Sequence, residues 1–140
     1  MAIMKTIASI VKEAEEAKTD KEAAKILKNN SSAALKAVIG YALDPLVHWL
    51  IPPGTPPFRP LQKAADQESA LYNQYRMMLY FVNSKEGKNL TQIKREQIFI
   101  QFLEAIDPDD ANLIIRVKDK KLEISPKAAK IAFPNMTKDW

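Results

Sequence analysis

The residues whose types and spacing suggest chemistry are three aspartates around a proline, Asp107, Asp109 and Asp110. Magnesium is often held in this way, by one or two carboxylates together with the phosphates of a substrate. The same pattern is also what a helix start requires. Asp107 serves as the N-cap, Pro108 fits the first helical position, and the following acids favour the positive end of the helix dipole. We therefore predict a helix start here and no metal site.

His48 is the only histidine, and it lies between Val47 and Trp49. A histidine that acts as a general base or a metal ligand needs partner groups at a defined geometry, and the sequence around it offers none. The three glycines are too far apart to form a phosphate-binding loop. We expect a partly buried structural histidine, no enzymatic activity and no cofactor.

Basic residues are concentrated between positions 116 and 130, where six of them oppose only Asp119 and Glu123. The excess of 6 − 2 = +4 equals the net charge of the whole chain, +4, so the other residues are balanced. A local basic patch can bind phosphates through salt-dependent contacts, and the alternative is a solvated helix end. The residues predicted to bind nucleic acid or another anion are Lys94, Arg95, Arg116, Lys118, Lys120, Lys121, Lys127 and Lys130.

The composition is that of an ordinary globular domain, with 140 residues, 46% hydrophobic and 27% charged. The chain has no cysteine, which excludes disulfides and thiolate chemistry and fits a reducing cytoplasm. No apolar run approaches the roughly 20 residues that span a bilayer. The first residues lack the pattern of a secretory signal. We expect a soluble intracellular protein with no membrane partner.

The segment 90–108 predicts the central helix of the fold, at about residues 91–106. Thr91 is a suitable N-cap, and the Asp107-Pro108 pair ends this helix and begins the next. Apolar residues cover more than half of its circumference in the second half, so we expect burial on most sides. The inner stripe begins at Ile93 and continues through Ile100 and Leu103, and it is widened by Ile98, Phe99, Phe102 and Ile106.

The remaining periodicity predicts an all-α fold, a compact single domain (residues 1–140) of about six to eight helices. Further helices are expected at 3–18, 20–28, 33–43, from about 62 or 66 to 82, 108–118 and 126–132. Ser31 or Ser32 is the expected N-cap of the third. The proline-rich residues 52–60 exclude a helix and predict an extended crossover that Phe58 pins to the core. It separates an N-terminal lobe (1–51) from a C-terminal lobe (61–134), followed by a short tail (135–140).

Several short motifs occur in an order that is typical of one protein family. They are Ser32-Ala33-Ala34-Leu35, residues 53–57, Leu90-Thr91-Gln92, Lys94-Arg95-Glu96, Phe99-Ile100-Gln101, Leu103-Glu104, Pro108, Ala111, residues 118–122 and Ala132-Phe133-Pro134. Through these motifs, residues 23–134 resemble an uncharacterised protein family encoded by large tailed bacteriophages, including phages of marine cyanobacteria. The resemblance implies a protein that acts in the cytoplasm of an infected bacterial host or is packaged in the virion.

Three functions are compatible with this sequence. The first is an accessory protein that binds nucleic acid, or the replication or transcription machinery on it, through the basic residues. The second is an antagonist of host defence or physiology that binds a host protein or an anionic nucleotide signal. The third is a virion-associated or self-assembling structural subunit. The basic cluster favours the first.

Overall fold

The computed structural model describes residues 5–61 and 70–140, and over these residues the fold is all-α, as the sequence predicts. The predicted helix starts at residues 3, 62 and 66 lie outside the described ranges. No described helix has the length and apolar character needed to cross a membrane. The α-helices are α1 (Ile7–Glu16), α2 (Asp20–Asn29), α3 (Ala33–Leu43), α4 (Ala70–Gln74), α5 (Lys85–Lys88), α6 (Gln92–Glu104), α7 (Pro108–Lys118) and α8 (Pro126–Ala132).

Side-chain caps begin the helices, and those at Ser32, Thr91 and Asp107 confirm the sequence prediction. In each case the side-chain oxygen accepts a backbone N–H of the first turn. Removing such a cap lowers the stability of the protein by about 1 kcal/mol. The caps and their distances are Thr19 to Glu22 N (3.1 Å), Ser32 to Leu35 N (3.0 Å), Thr91 to Lys94 N (3.2 Å), Asp107 to Asp109 N (2.8 Å) and Ser125 to Ala128 N (3.0 Å). Thr6 and Ser84 cap α1 and α5 in the same way.

The core lies around α7, which packs against α1, α3 and α6, while α2 packs against α1 and α8. The predicted central helix is present as α6 and contributes Phe99, Phe102 and Leu103 to the core. Only one side of α6 is buried in the core. The expectation that Ile93 belongs to the inner stripe is wrong, because Ile93 is 75% exposed and lies on the side of α6 that faces away from Arg95 and Phe99.

The helix predicted to end at residue 82 changes geometry at Tyr75, where α4 is followed by a 3-10 helix over Tyr75–Phe81. Side chains three residues apart lie above one another in a 3-10 helix. Tyr75, Met78 and Phe81 therefore point to one side, and Met78 and Phe81 are fully buried. The segment ends by pairing with residues 48–50, since the Leu50 N–H donates to Phe81 O (2.7 Å).

Between α3 and the crossover the chain forms an isolated antiparallel bridge from Trp49 to Val82. The extended crossover that follows is held by side chains of α6 and α7. The Arg59 N–H donates to Glu104 Oε2 (2.7 Å), and Phe58 packs against the core as expected. Residues 51–57 also cover a groove of about 340 Å³ over Phe99 and Ile100 of α6.

Gly87 is the position in the short helix α5 where a side chain cannot be accommodated. A Cβ atom there would lie 1.9 Å from the carbonyl oxygen of Val82, and the neighbouring backbone would have to move. We expect Gly87→Ala to lower the free energy of unfolding by about 3 kcal/mol, measured by urea denaturation. Gly40→Ala is the control. Its Cβ would meet only Met136 Sδ at 3.9 Å, so this helical glycine should tolerate alanine with neutral or improved stability.

Candidate functional site

Arg95 is buried in the structure and not part of an exposed basic surface, being 7% exposed. Its guanidinium donates to Gly87 O (2.8 and 3.1 Å), Leu90 O (2.9 Å) and Gln92 Oε1 (2.6 Å). Arginine has five donors, and here they satisfy carbonyls left open where α5 ends. Its neighbour Lys94 is exposed in the first turn of α6.

Lys118 is also buried, and with Asp119 it forms a clasp on the crossover. The Lys118 ammonium donates to Pro52 O (3.0 Å) and Gly54 O (2.9 Å) and forms an ion pair with Asp119. The Asp119 carboxylate in turn accepts the Gly54 N–H (3.1 Å). Two charges of the predicted patch are therefore used to fix residues 52–54 against the end of α7.

Lys120 ends α7 in a left-handed conformation, with φ of 58°. Its N–H donates to Val117 O and the Lys121 N–H donates to Arg116 O, the pattern of a Schellman motif. The Lys120 ammonium donates to the carbonyls of Tyr41 (3.1 Å) and Asp44 (3.3 Å) at the end of α3. Partial burial lowers the pKa of Lys120, and the charge of Asp44 opposes this effect. Lys120 thus connects two helix ends.

Arg116 has a partner as well. It forms an ion pair with Glu15 of α1, whose carboxylate also accepts the Glu123 N–H (2.7 Å). The Arg116 side chain is half-exposed, but its charge is matched by this carboxylate. Of the eight predicted residues, Lys94, Lys121, Lys127 and Lys130 remain exposed, with no ion pair or side-chain hydrogen bond among the described residues.

Lys127 lies in a groove of about 520 Å³ between α1, α2 and α8, which we call the lysine groove. Lys18 and Lys21 also line it, and neither side chain is paired within the described part of the chain. Of its three acids, Glu15 pairs with Arg116, whereas Asp20 accepts the Ser125 hydroxyl (2.6 Å), which carries no charge. Three lysines therefore face two carboxylates without a cationic partner in the described residues, Asp20 and Glu123, an excess of one positive charge.

Lys25 and Lys28 extend this basic region along α2. Together with Lys21 they recur at spacings of four and three, so all three lie on one exposed side of the helix. Sequence reasoning missed them, although this spacing was the signal that identifies such a stripe. We define the lysine surface as Lys18, Lys21, Lys25, Lys28, Lys127 and Lys130.

A second groove, the histidine groove, has a volume of about 380 Å³ and is lined by residues 47–49, Ile51, Pro53, Gly54 and residues 118–121. His48 is exposed, so the expectation of a partly buried histidine is wrong. Pairing with Asn83 holds its backbone at the surface. The His48 N–H donates to Asn83 Oδ1 (3.0 Å), and His48 O accepts the Asn83 N–H (2.9 Å).

Two of the three aspartates accept N–H groups at helix starts, and the third, Asp109, is exposed in the first turn of α7. Asp107 caps α7, and Asp110 Oδ1 accepts the Ala8 N–H in the first turn of α1 (2.8 Å). Asp110 is fully buried, and its Oδ2 has no hydrogen-bond partner in the described structure. Burial raises its pKa to about 7, with the charges of Asp107 and Asp109 adding to the effect and the Ala8 bond opposing it. The described residues contain no group of three or more potential metal ligands.

Comparison with known proteins assigns the chain to a family. No curated protein and no solved structure matches the chain significantly. A family profile matches residues 10–124, which includes α2 to α7, the crossover and both sides of the histidine groove. This match covers most of the sequence, and the chain therefore belongs to DUF6433, a family of unknown function.

Proposed function

We propose that this protein is a non-enzymatic accessory protein that binds nucleic acid through the lysine surface. The observation that carries the proposal is the number of exposed lysines on the lysine surface. All six are exposed and form no ion pair within the described residues, and the groove that three of them line holds two acids without a cationic partner, Asp20 and Glu123. An excess of ammonium groups over carboxylates raises the local concentration of a polyanion and speeds its association.

The dimensions of the stripe on α2 suit a nucleic-acid backbone. From Lys21 to Lys28 the helix rises about 10 Å, at about 1.5 Å per residue. One strand of B-DNA advances about 3.4 Å per phosphate along its axis, so this distance corresponds to about three phosphates. The lysine groove has no aromatic residue in its lining on which a base could stack. These features favour contacts to phosphates over readout of bases.

The resemblance to phage proteins suggests where such binding takes place. We propose that the nucleic acid is that of an infected bacterial cell, or the replication or transcription machinery assembled on it. Backbone contacts of this kind are sequence-independent and lose affinity steeply as salt increases. Binding is therefore expected on DNA and RNA duplexes of any sequence at low ionic strength.

The proposal predicts a specific loss in the double variant Lys21→Gln, Lys127→Gln. We expect its affinity for a labelled 30-base-pair duplex to fall about tenfold at low salt, measured by fluorescence anisotropy. The slope of log affinity against log salt should decrease in magnitude by about 2, because each lysine that contacts a phosphate contributes about 1.

Lys85→Gln, Lys88→Gln is the matched control, since it removes two exposed charges from α5. Lys94→Gln tests whether Lys94, the exposed one of the two predicted binding residues on α6, contributes to binding. Both should bind as the wild type does. Absence of binding to either duplex at low salt, or an equal loss in the α5 control, would refute the proposal.

A further inference from the structure

We propose that the histidine groove binds a phosphorylated small molecule of mononucleotide size, with the phosphate at His48 and Lys121. This site is separate from the lysine surface and does not depend on the proposed function. The volume of about 380 Å³ lies within the range of small-molecule sites, which is about 300–1,000 Å³.

The charge of the groove favours an anion. The Asp119 carboxylate is matched by Lys118, and the Lys120 ammonium donates to two uncharged carbonyls, so it keeps its charge near the rim. Lys121 has no side-chain partner in the described ranges. The Asp44 carboxylate also acts on Lys120, so Lys118, Lys120 and Lys121 stand against Asp119 and Asp44, and one positive charge remains in excess.

His48 adds a ring whose nitrogens are not engaged by the described residues. Its ring nitrogens make no hydrogen bond with any described residue, whereas its backbone is fixed on both sides by Asn83. An imidazole and an ammonium on one groove are the groups that commonly bind a phosphate monoester. Because the backbone that carries His48 is already ordered, binding does not incur the free-energy cost of ordering it.

The rest of the groove suits the non-phosphate part of a nucleotide. Val47, Trp49, Ile51 and Pro53 supply apolar lining. The Trp49 ring is fixed by its indole N–H, which donates to Tyr41 O (3.0 Å), and by an edge contact with Phe99 at 6.5 Å between centroids. The clasp of Lys118 and Asp119 fixes Gly54, which forms part of the groove wall. Fixed aromatic and apolar walls beside a cationic rim match a base or sugar attached to a phosphate.

The experiment uses the emission of Trp49. The chain has two tryptophans, so Trp140→Phe makes Trp49 the sole reporter. We expect AMP to change its emission saturably, with adenosine and inorganic phosphate each binding at least tenfold more weakly. His48→Gln and Lys121→Gln, both in this background, should each weaken AMP binding about tenfold. Lys88→Gln should not change it.

The lysine-surface variant Lys21→Gln, Lys127→Gln should bind AMP like the wild type, which separates this site from nucleic-acid binding. Calorimetry with the full chain tests the same affinities independently of fluorescence. Lack of saturable AMP binding by both methods, or binding that is unchanged in His48→Gln and Lys121→Gln, would overturn the site. Inorganic phosphate binding as tightly as AMP would overturn the contribution of the apolar walls.

Discussion

Lys118→Ala is expected to lower the free energy of unfolding by about 3–5 kcal/mol, the cost of removing one partner of a buried ion pair. The variant leaves the Asp119 carboxylate almost buried without its counter-charge. It also leaves the carbonyls of Pro52 and Gly54 without their donor. Urea denaturation monitored by circular dichroism measures the loss.

The double variant Lys118→Met, Asp119→Asn is the control for this prediction. It removes both charges, keeps a similar volume and retains an oxygen that can accept the Gly54 N–H. We expect it to be more stable than Lys118→Ala, since an ion pair replaced as a unit costs less than a charge left alone. A loss below about 1 kcal/mol in Lys118→Ala would show that the clasp contributes little.

The stability of this protein is expected to fall as the pH rises from about 4 to about 7, through the proton on Asp110. Its pKa in the fold is raised to about 7 by burial, against an unfolded value of 3.8. Between these values the folded state holds a proton that the unfolded state has lost, so raising the pH favours unfolding. At about 1.4 kcal/mol per pH unit, the contribution is about 4 kcal/mol.

Asp110→Asn isolates this contribution from that of the other carboxylates. Asparagine keeps the oxygen that accepts the Ala8 N–H and cannot ionise. We expect the variant to match the wild type near pH 4 and to be more stable by about 2–4 kcal/mol at pH 8. Denaturant midpoints of both proteins from pH 4 to 8 test this. Parallel profiles would mean that Asp110 is ionised in the fold at neutral pH.

The helix starts were predictable because their determinants are local. Thr91 binds the N–H of a residue three positions away, and Asp107 binds one two positions away. Each of these interactions lies within one turn of chain, so the residue types alone identify them. Likewise, the all-α class followed from periodicity that each segment carries by itself.

The roles of the basic residues were not predictable in this way. Lys118 donates to Pro52 and Gly54, more than sixty positions earlier, and Lys120 reaches Tyr41 at a still greater separation. A run of lysines has the same sequence whether it faces solvent or backbone carbonyls. Only the tertiary arrangement, which brings α3, the crossover and α7 together, separates the buried lysine from the exposed ones.

Ile93 shows the corresponding limit for apolar residues. Its spacing from Ile100 and Leu103 is helical, yet it is 75% exposed. At about 100° per residue it points away from Arg95 and Phe99, which lie on the buried side of α6. Periodicity identified a wide apolar stripe, but it did not show which edge of that stripe the neighbouring helices cover.

The position of residues 52–57 has a consequence for communication across the molecule. Pro53 and Gly54 form part of the histidine groove and also part of the groove over Phe99 and Ile100. One stretch of chain is thus shared by two grooves. If a ligand in one groove shifts this stretch and thereby changes affinity in the other, thermodynamic reciprocity requires that a ligand in the second groove change affinity in the first by the same factor.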